Sequence, residues 1–159
     1  MDAEQSAGDL ADLVTPRGVI AQLRAPTKRQ VLQELARRAA AMTGIADKRI
    51  YDALVERERL GTTGIGNGIA IPHCRLSELT QLHGLFARLD RPAPFEAIDD
   101  QPVELVFLLL APTDAGAEHL KALARVSRLL RDKAMCEKLR GANSADALYA
   151  LLTNGGAAG

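Results

Sequence analysis

The chain has 159 residues, with 20 basic residues balancing 20 acidic ones, which predicts one domain and argues against a general nucleic-acid binder. Apolar residues make up 47% and aromatics 3%, with no tryptophan, so the core is expected to be aliphatic. The longest apolar run, 105–111, falls far short of the roughly 20 residues of a membrane helix, and no basic-then-apolar leader opens the chain; the expectation is a cytoplasmic protein that is not membrane-embedded.

Residues 1–9 are small and polar and read as a flexible N-terminus, with residues 10–153 as the folded domain and 154–159 as a flexible tail. A short turn is expected at 10–14 and a strand at 19–23. Thr27 is placed to cap a helix over 28–42, with Val31, Leu32, Leu35, Ala36 and Ala39 on one face and Gly44 as its stop. Asp47 reads as the cap of a second helix to residue 59, burying Ile50 and Leu54 and ended by Gly61. A short buried strand follows at 69–71, closed by Pro72, so that His73 stands where strand gives way to loop.

A polar linker then leads to a strand at 83–89, broken by Arg91-Pro92-Ala93-Pro94. The run 103–110 is apolar enough to be a central strand covered on both faces. Helices are expected at 117–130, with Leu120, Leu123, Val126, Ser127 and Leu130 at helical spacing, at 134–140, and from a Ser144 cap to 152. This order predicts an α/β fold: a small mixed β-sheet flanked on both faces by helices. Cys74 and Cys136 form no Cys-x-x-Cys pair and read as reduced, partly buried thiols.

The chemistry concentrates in Gly61-Thr62-Thr63-Gly64-Ile65-Gly66-Asn67-Gly68-Ile69-Ala70-Ile71-Pro72-His73-Cys74-Arg75. Glycine at this density lets backbone N–H groups approach a ligand closely. A dinucleotide fingerprint starting at Gly64 and Gly66 needs a third glycine at 69, where Ile stands, and no lysine lies between Lys48 and Lys121 to serve a phosphate loop. Nucleotide binding is therefore disfavoured. A histidine beside a nest of N–H groups points instead to phosphoryl chemistry.

Arg57-Glu58-Arg59-Leu60-Gly61, followed by Thr63-Gly64-Ile65-Gly66-Asn67-Gly68-Ile69-Ala70-Ile71-Pro72-His73, resembles the active-site signature of the IIA domains of the bacterial phosphoenolpyruvate phosphotransferase system, of the fructose/mannitol and nitrogen-regulatory type. The resemblance continues through Phe95-Glu96-Ala97-Ile98-Asp99-Asp100-Gln101-Pro102-Val103 and Glu118-His119-Leu120. It implies that His73 carries a phosphoryl group, that one of its ring nitrogens is oriented by a backbone carbonyl, and that the other, Nε2, is free for attack. It implies a phosphate-binding role for His119 and a charge-neutralising role for Arg57, with Arg59 a solvated local rival. Thr63, Gly66, Asn67 and Gly68 are expected to shape the phosphate pocket, and Ile65, Ile69 and Leu76 to supply an apolar docking surface around it. Cys74 stands where the family usually has glycine. His83, with no motif around it, reads as structural.

The resemblance implies no metal and no other cofactor, because the donor, a histidine-containing phosphocarrier protein, is already activated. It leaves two functions open: a phosphorylation-switched regulator of the nitrogen-regulatory branch, or a sugar-uptake component passing the group to a separate IIB protein. Regulatory relatives of this kind act on potassium transport and sensor kinases.

Overall fold

The computed structural model describes residues 9–154; the flexible segments expected before residue 9 and after residue 154 lie outside them. Six strands and five helices follow in order. The strands are β1 (Val19–Leu23), β2 (Gly64–Gly66), β3 (Ile69–Ala70), β4 (His73–Leu76), β5 (His83–Ala93) and β6 (Val103–Pro112). The helices are α1 (Lys28–Thr43), α2 (Asp47–Arg59), α3 (Ala117–Leu130), α4 (Lys133–Gly141) and α5 (Ala145–Asn154).

The sheet order is β1-β5-β6-β3-β2, and β4 also pairs with β6. β1 runs parallel to β5, β5 antiparallel to β6, and β3 and β4 both run parallel to β6. Along β6 the side chains alternate. Val106, Leu108 and Leu110 join α1 and α2 residues such as Leu35, Ile50 and Leu54 in one core. Leu105, Phe107 and Leu109 join Val126, Leu139, Leu148 and Leu152 of α3, α4 and α5 in the other. The expected mixed sheet between two helical layers is the observed fold, and the run at 103–110 is its central strand because both of its faces are buried.

Pro72 acts differently from expectation. Ile69 pairs with Leu105 and Ala70 with Val106, and then His73 pairs with Leu109 and Cys74 with Leu110, in the same register. β3 and β4 are thus one line along β6, interrupted only at Ile71 and Pro72. The proline lacks an N–H, yet its carbonyl still accepts from Leu109 N–H at 3.0 Å, so the missing donor costs the ladder little. His73 therefore begins a strand rather than a loop, and the expected polar linker starts only after Leu76.

Smaller differences have equally local causes. β5 runs through Pro92 to Ala93 because its pairing with β6 shifts between Arg88 and Ala93, and such an irregularity tolerates a residue without a donor. Thr27 accepts from Gln30 N–H and Gly44 stops α1 at φ 79°, as expected, but α2 is capped at Ala46, with Asp47 inside the first turn, where a carboxylate still favours the helix dipole. Ser144 Oγ accepts from Ala147 N–H at 3.1 Å. α4 has an unforeseen cap, Asp132, whose carboxylate accepts from Met135 N–H. On α3 the inward face carries His119, Ala122, Val126, Leu129 and Leu130, one step round the helix from the predicted stripe. Both cysteines are free and buried.

Gly84 marks a tight approach in the sheet. A Cβ there would stand 2.8 Å from Phe107 Cζ and 3.0 Å from the Leu13 carbonyl oxygen, while Gly84 N–H donates to that same oxygen at 2.7 Å. Gly84→Ala is expected to lower stability by about 2 kcal/mol, read as a lower denaturant midpoint with an unchanged slope; an unchanged midpoint would refute the close packing.

Candidate functional site

Three elements converge at the β4 edge. Because β4 pairs in register with β6, His73 points to the Leu109 face, towards α3, while Cys74 points to the opposite core. α2 ends beside the same edge, bringing Arg57 in its last turn, and His119 arrives on the first turn of α3. The three enclose a cleft of about 590 Å³ whose walls include Arg49, Arg57, His73, Arg75, His119 and Leu120.

His73 is fixed through its own backbone. Its Nδ1 lies 2.8 Å from the Ile71 carbonyl oxygen; a carbonyl only accepts, so Nδ1 carries the proton and Nε2 bears the lone pair. Arg57 Nε donates to that Nε2 at 3.2 Å, while its other arm donates to the Gly61 carbonyl at 2.9 Å. Burial pulls the His73 pKa below the ordinary imidazole value; the Arg57 and Arg75 guanidiniums pull the same way, against the Ile71 carbonyl. At neutral pH the ring is therefore an uncharged imidazole with its nucleophilic nitrogen at the cleft.

His119 is 4% exposed. Its ring stands edge-on to His73, with centroids 5.6 Å apart and planes at 73°. Burial first, then His73 and Arg75, hold its pKa down to about 4. Arg75 Nε donates to His119 Nδ1 at 3.0 Å, and His119 Nε2 is buried with no partner among the described residues.

This depressed pKa carries a stability consequence. Between about pH 4 and pH 6.5 the unfolded chain binds a proton at His119 and the folded chain does not. Stability is thus full above about pH 6.5 and falls as pH drops towards about 4, by at most about 3 kcal/mol. Denaturant unfolding of the parent and of His119→Gln across this window is expected to show the steeper fall in the parent; parallel curves would exclude a neutral buried His119.

The expected phosphate pocket is not assembled around His73. Thr63 is buried, and both its N–H and its hydroxyl engage the Glu58 carboxylate. Asn67 N–H donates to Asp99 at 2.9 Å, and its carbonyl accepts from Arg140. Gly66 faces Asp99, and the Gly68 carbonyl accepts from Glu104 and Leu105 N–H. Gly64 leaves room for Ala97, since a Cβ there would come within 2.8 Å of the Ala97 Cβ. Gly64 and Gly66 thus serve the packing of the 95–101 turn, and the N–H groups of Thr63, Gly64 and Asn67 donate to protein acceptors. None of Thr63, Gly66, Asn67 and Gly68 lines the cleft.

The expected docking residues also move. Ile69 and Leu76 are core residues and Ile65 is half-buried. The apolar rim is formed instead by Leu60, 84% exposed, and Leu120, 63% exposed, with Leu123 behind them. Arg59 is exposed and paired with Glu56, and half-buried His83 sits on β5 outside the cleft. Arg75 was absent from the sequence expectations. Reading His73 as a loop residue hid it, since on a strand the second residue along shares a face.

The family model for the phosphoenolpyruvate-dependent sugar phosphotransferase system, EIIA 2, matches residues 12–155. A nitrogen regulatory protein of Bradyrhizobium diazoefficiens is 53% identical over 143 residues, covering 90% of this chain and 94% of that protein. The crystal structure of the nitrogen regulatory protein IIA-Ntr from Neisseria meningitidis superposes with a TM-score of 0.85 at 31% identity, over 89% of this chain and 97% of that one. The IIA mannitol structure from Escherichia coli shares the fold, with a TM-score of 0.73 at 20% identity over 87% of this chain and 98% of that one. Among the described residues no helix is long and apolar enough to cross a membrane.

Proposed function

The chain belongs to the EIIA 2 family of the phosphoenolpyruvate-dependent sugar phosphotransferase system, and from that premise we propose that it is a cytoplasmic phosphocarrier and phosphorylation-switched regulator whose acceptor is His73. The unit that does this is the domain of residues 10–153. The observation that carries the reading is the His73 ring itself, locked by the Ile71 carbonyl with its Nε2 lone pair at a cleft shared with Arg57 and His119.

The donor is the phosphohistidine of a small histidine-containing carrier protein, docked on the rim formed by Leu60 and Leu120. The His73 Nε2 lone pair forms the new P–N bond in line as the donor's P–N bond breaks, and the donor imidazole leaves with that electron pair. The His73 Nδ1 proton stays on the ring, held by Ile71. Arg57 exchanges its contact with Nε2 for the equatorial oxygens, where its guanidinium can form two parallel hydrogen bonds. His119 Nε2–H, otherwise without an acceptor, donates to a third oxygen. The product sets phosphoryl oxygens carrying about −1.5 to −2 charge, partly offset by the retained Nδ1 proton, beside a rim of leucines and arginines, enough to change which protein that rim prefers.

Identity of 53% to a nitrogen regulatory protein over nearly the whole chain favours the regulatory branch, with a potassium transporter or a sensor kinase as the kind of target. Incubation with a phosphorylated histidine-containing carrier is expected to add one phosphate per chain that is lost in acid and kept in alkali. No transfer, or an acid-stable phosphate, would overturn the reading. Affinity capture with both forms separates the branches: exclusive binding to a sugar-specific IIB protein would assign the chain to sugar uptake.

A further inference from the structure

His73 and Arg75 are alternate residues of β4 and share the face that meets α3. We infer that Arg75 is a positioning residue that selects the Nε2–H tautomer of His119 and so presets the donor that meets the phosphoryl group. The purpose of the device rests on the phosphocarrier reading; the tautomer itself is a property of the resting protein.

Hydrogen-bond chemistry excludes the other tautomer. Arg75 Nε has a hydrogen to give and no lone pair to offer, and it points at His119 Nδ1 from 3.0 Å. Were Nδ1 protonated, two N–H groups would face each other at that distance. Nδ1 must therefore present its lone pair, and a neutral imidazole then has its proton on Nε2. Yet Nε2 is buried without any acceptor among the described residues, an arrangement that costs an unmet donor its desolvation. Exchanging the two roles would not relieve it, because Nε2 would then be an equally unpartnered acceptor. The charged donor at Nδ1 therefore decides the tautomer, because hydrogen bonds from an ionised group are the strong ones.

The result is an N–H held without a partner on a ring 5.6 Å from the acceptor imidazole, in the one tautomer that needs no proton rearrangement when charge arrives. Arg57 and Arg75 divide the work. Arg57 touches His73 directly from α2, whereas Arg75 acts through His119 from β4. The same logic fixes His73, where a carbonyl at Nδ1 forces the proton on to Nδ1. The two rings carry opposite tautomers because one faces an obligate acceptor and the other an obligate donor, leaving one nucleophile and one donor.

Nitrogen-15 NMR of the histidine rings in the full chain at neutral pH tests this. The parent is expected to show His119 protonated on Nε2 and His73 on Nδ1. In Arg75→Leu the His119 signals should move to a mixture containing the Nδ1–H form, and the initial rate of phosphoryl acceptance should fall about tenfold, with His73 unchanged as a check that the fold is intact. Arg75→Gln keeps a neutral N–H donor and is expected to hold more of the Nε2–H form than Arg75→Leu. A parent His119 protonated on Nδ1, or a tautomer indifferent to Arg75→Leu, overturns the inference. A tautomer that shifts in a protein that accepts no phosphoryl group would instead sink the phosphocarrier reading and leave the positioning role standing.

Discussion

His73→Ala is expected to accept no acid-labile phosphate at all, while unfolding at a denaturant concentration close to that of the parent. The two halves of this expectation come from the same geometry. His73 is only half-buried, on an edge strand that pairs with β6 through its backbone, so removing the ring leaves the β4 ladder intact. What disappears is the single nitrogen that combines a lone pair, a fixed tautomer and access to the cleft. Neither neighbour can substitute. His119 Nδ1 is occupied by Arg75, and its Nε2 holds the proton; His83 lies on β5, outside the cleft.

Arg57→Ala is the informative companion, because the nucleophile stays and the charge complement goes. A loss of about 10²–10³ in transfer rate is the usual effect of removing one preorganised donor from a reacting oxyanion. Residual acid-labile labelling of His73→Ala above that of a mock-treated sample would mean that another residue is the acceptor, and the site would have to be rebuilt around it.

The sequence exposed the fold through periodicity and punctuation. The alternation on β6, the Thr27 cap and the Gly44 stop are local signals whose meaning does not depend on the rest of the chain. The proposed trio was legible for a different reason: Arg57, His73 and His119 stand in the signature stretches themselves, and the strand and helix order brings them to one edge.

What misled was the glycine run. Dense glycines next to a histidine suggested amides aimed at phosphate, yet Gly64, Gly66 and Asn67 make their contacts with Ala97 and Asp99. The two signature stretches, 61–75 and 95–103, pack against each other, a long-range pairing that neither shows alone. Arg75 is hidden in the sequence by Pro72, since a residue two places beyond a loop histidine has no defined direction, whereas on β4 it shares the face of His73. The rim moved for a similar reason: α3 is rotated by about one residue from the predicted stripe, so Leu120 faces solvent and His119 faces the core.

That same signature contains the second large effect, and it falls on stability. Glu58, the residue after Arg57, has a side chain 7% exposed and serves three partners at once. Its carboxylate pairs with Lys28 Nζ at 3.0 Å and accepts from both the N–H and the hydroxyl of Thr63. It therefore ties α1, the end of α2 and the start of β2 together at a single buried charge. Glu58→Ala would strand the Thr63 N–H and leave Lys28, itself only 19% exposed along its side chain, with Glu96 and the Phe95 ring face.

Removing one member of a buried pair costs about 3–5 kcal/mol, and because Glu96 still holds Lys28 the lower end, about 3 kcal/mol, is expected here. The double variant Lys28→Met with Glu58→Gln discriminates the cause. It removes both charges while the new side-chain amide still accepts from Thr63, so it should recover much of the loss, as buried pairs replaced together often do. Equilibrium denaturation of the two variants beside the parent decides the matter. If Glu58→Ala costs under about 1 kcal/mol, the value typical of an exposed pair, the carboxylate is not the tie that the contacts describe. If the double variant is no better than Glu58→Ala, the loss lies in shape rather than in charge, and the link from α1 to the glycine segment is steric.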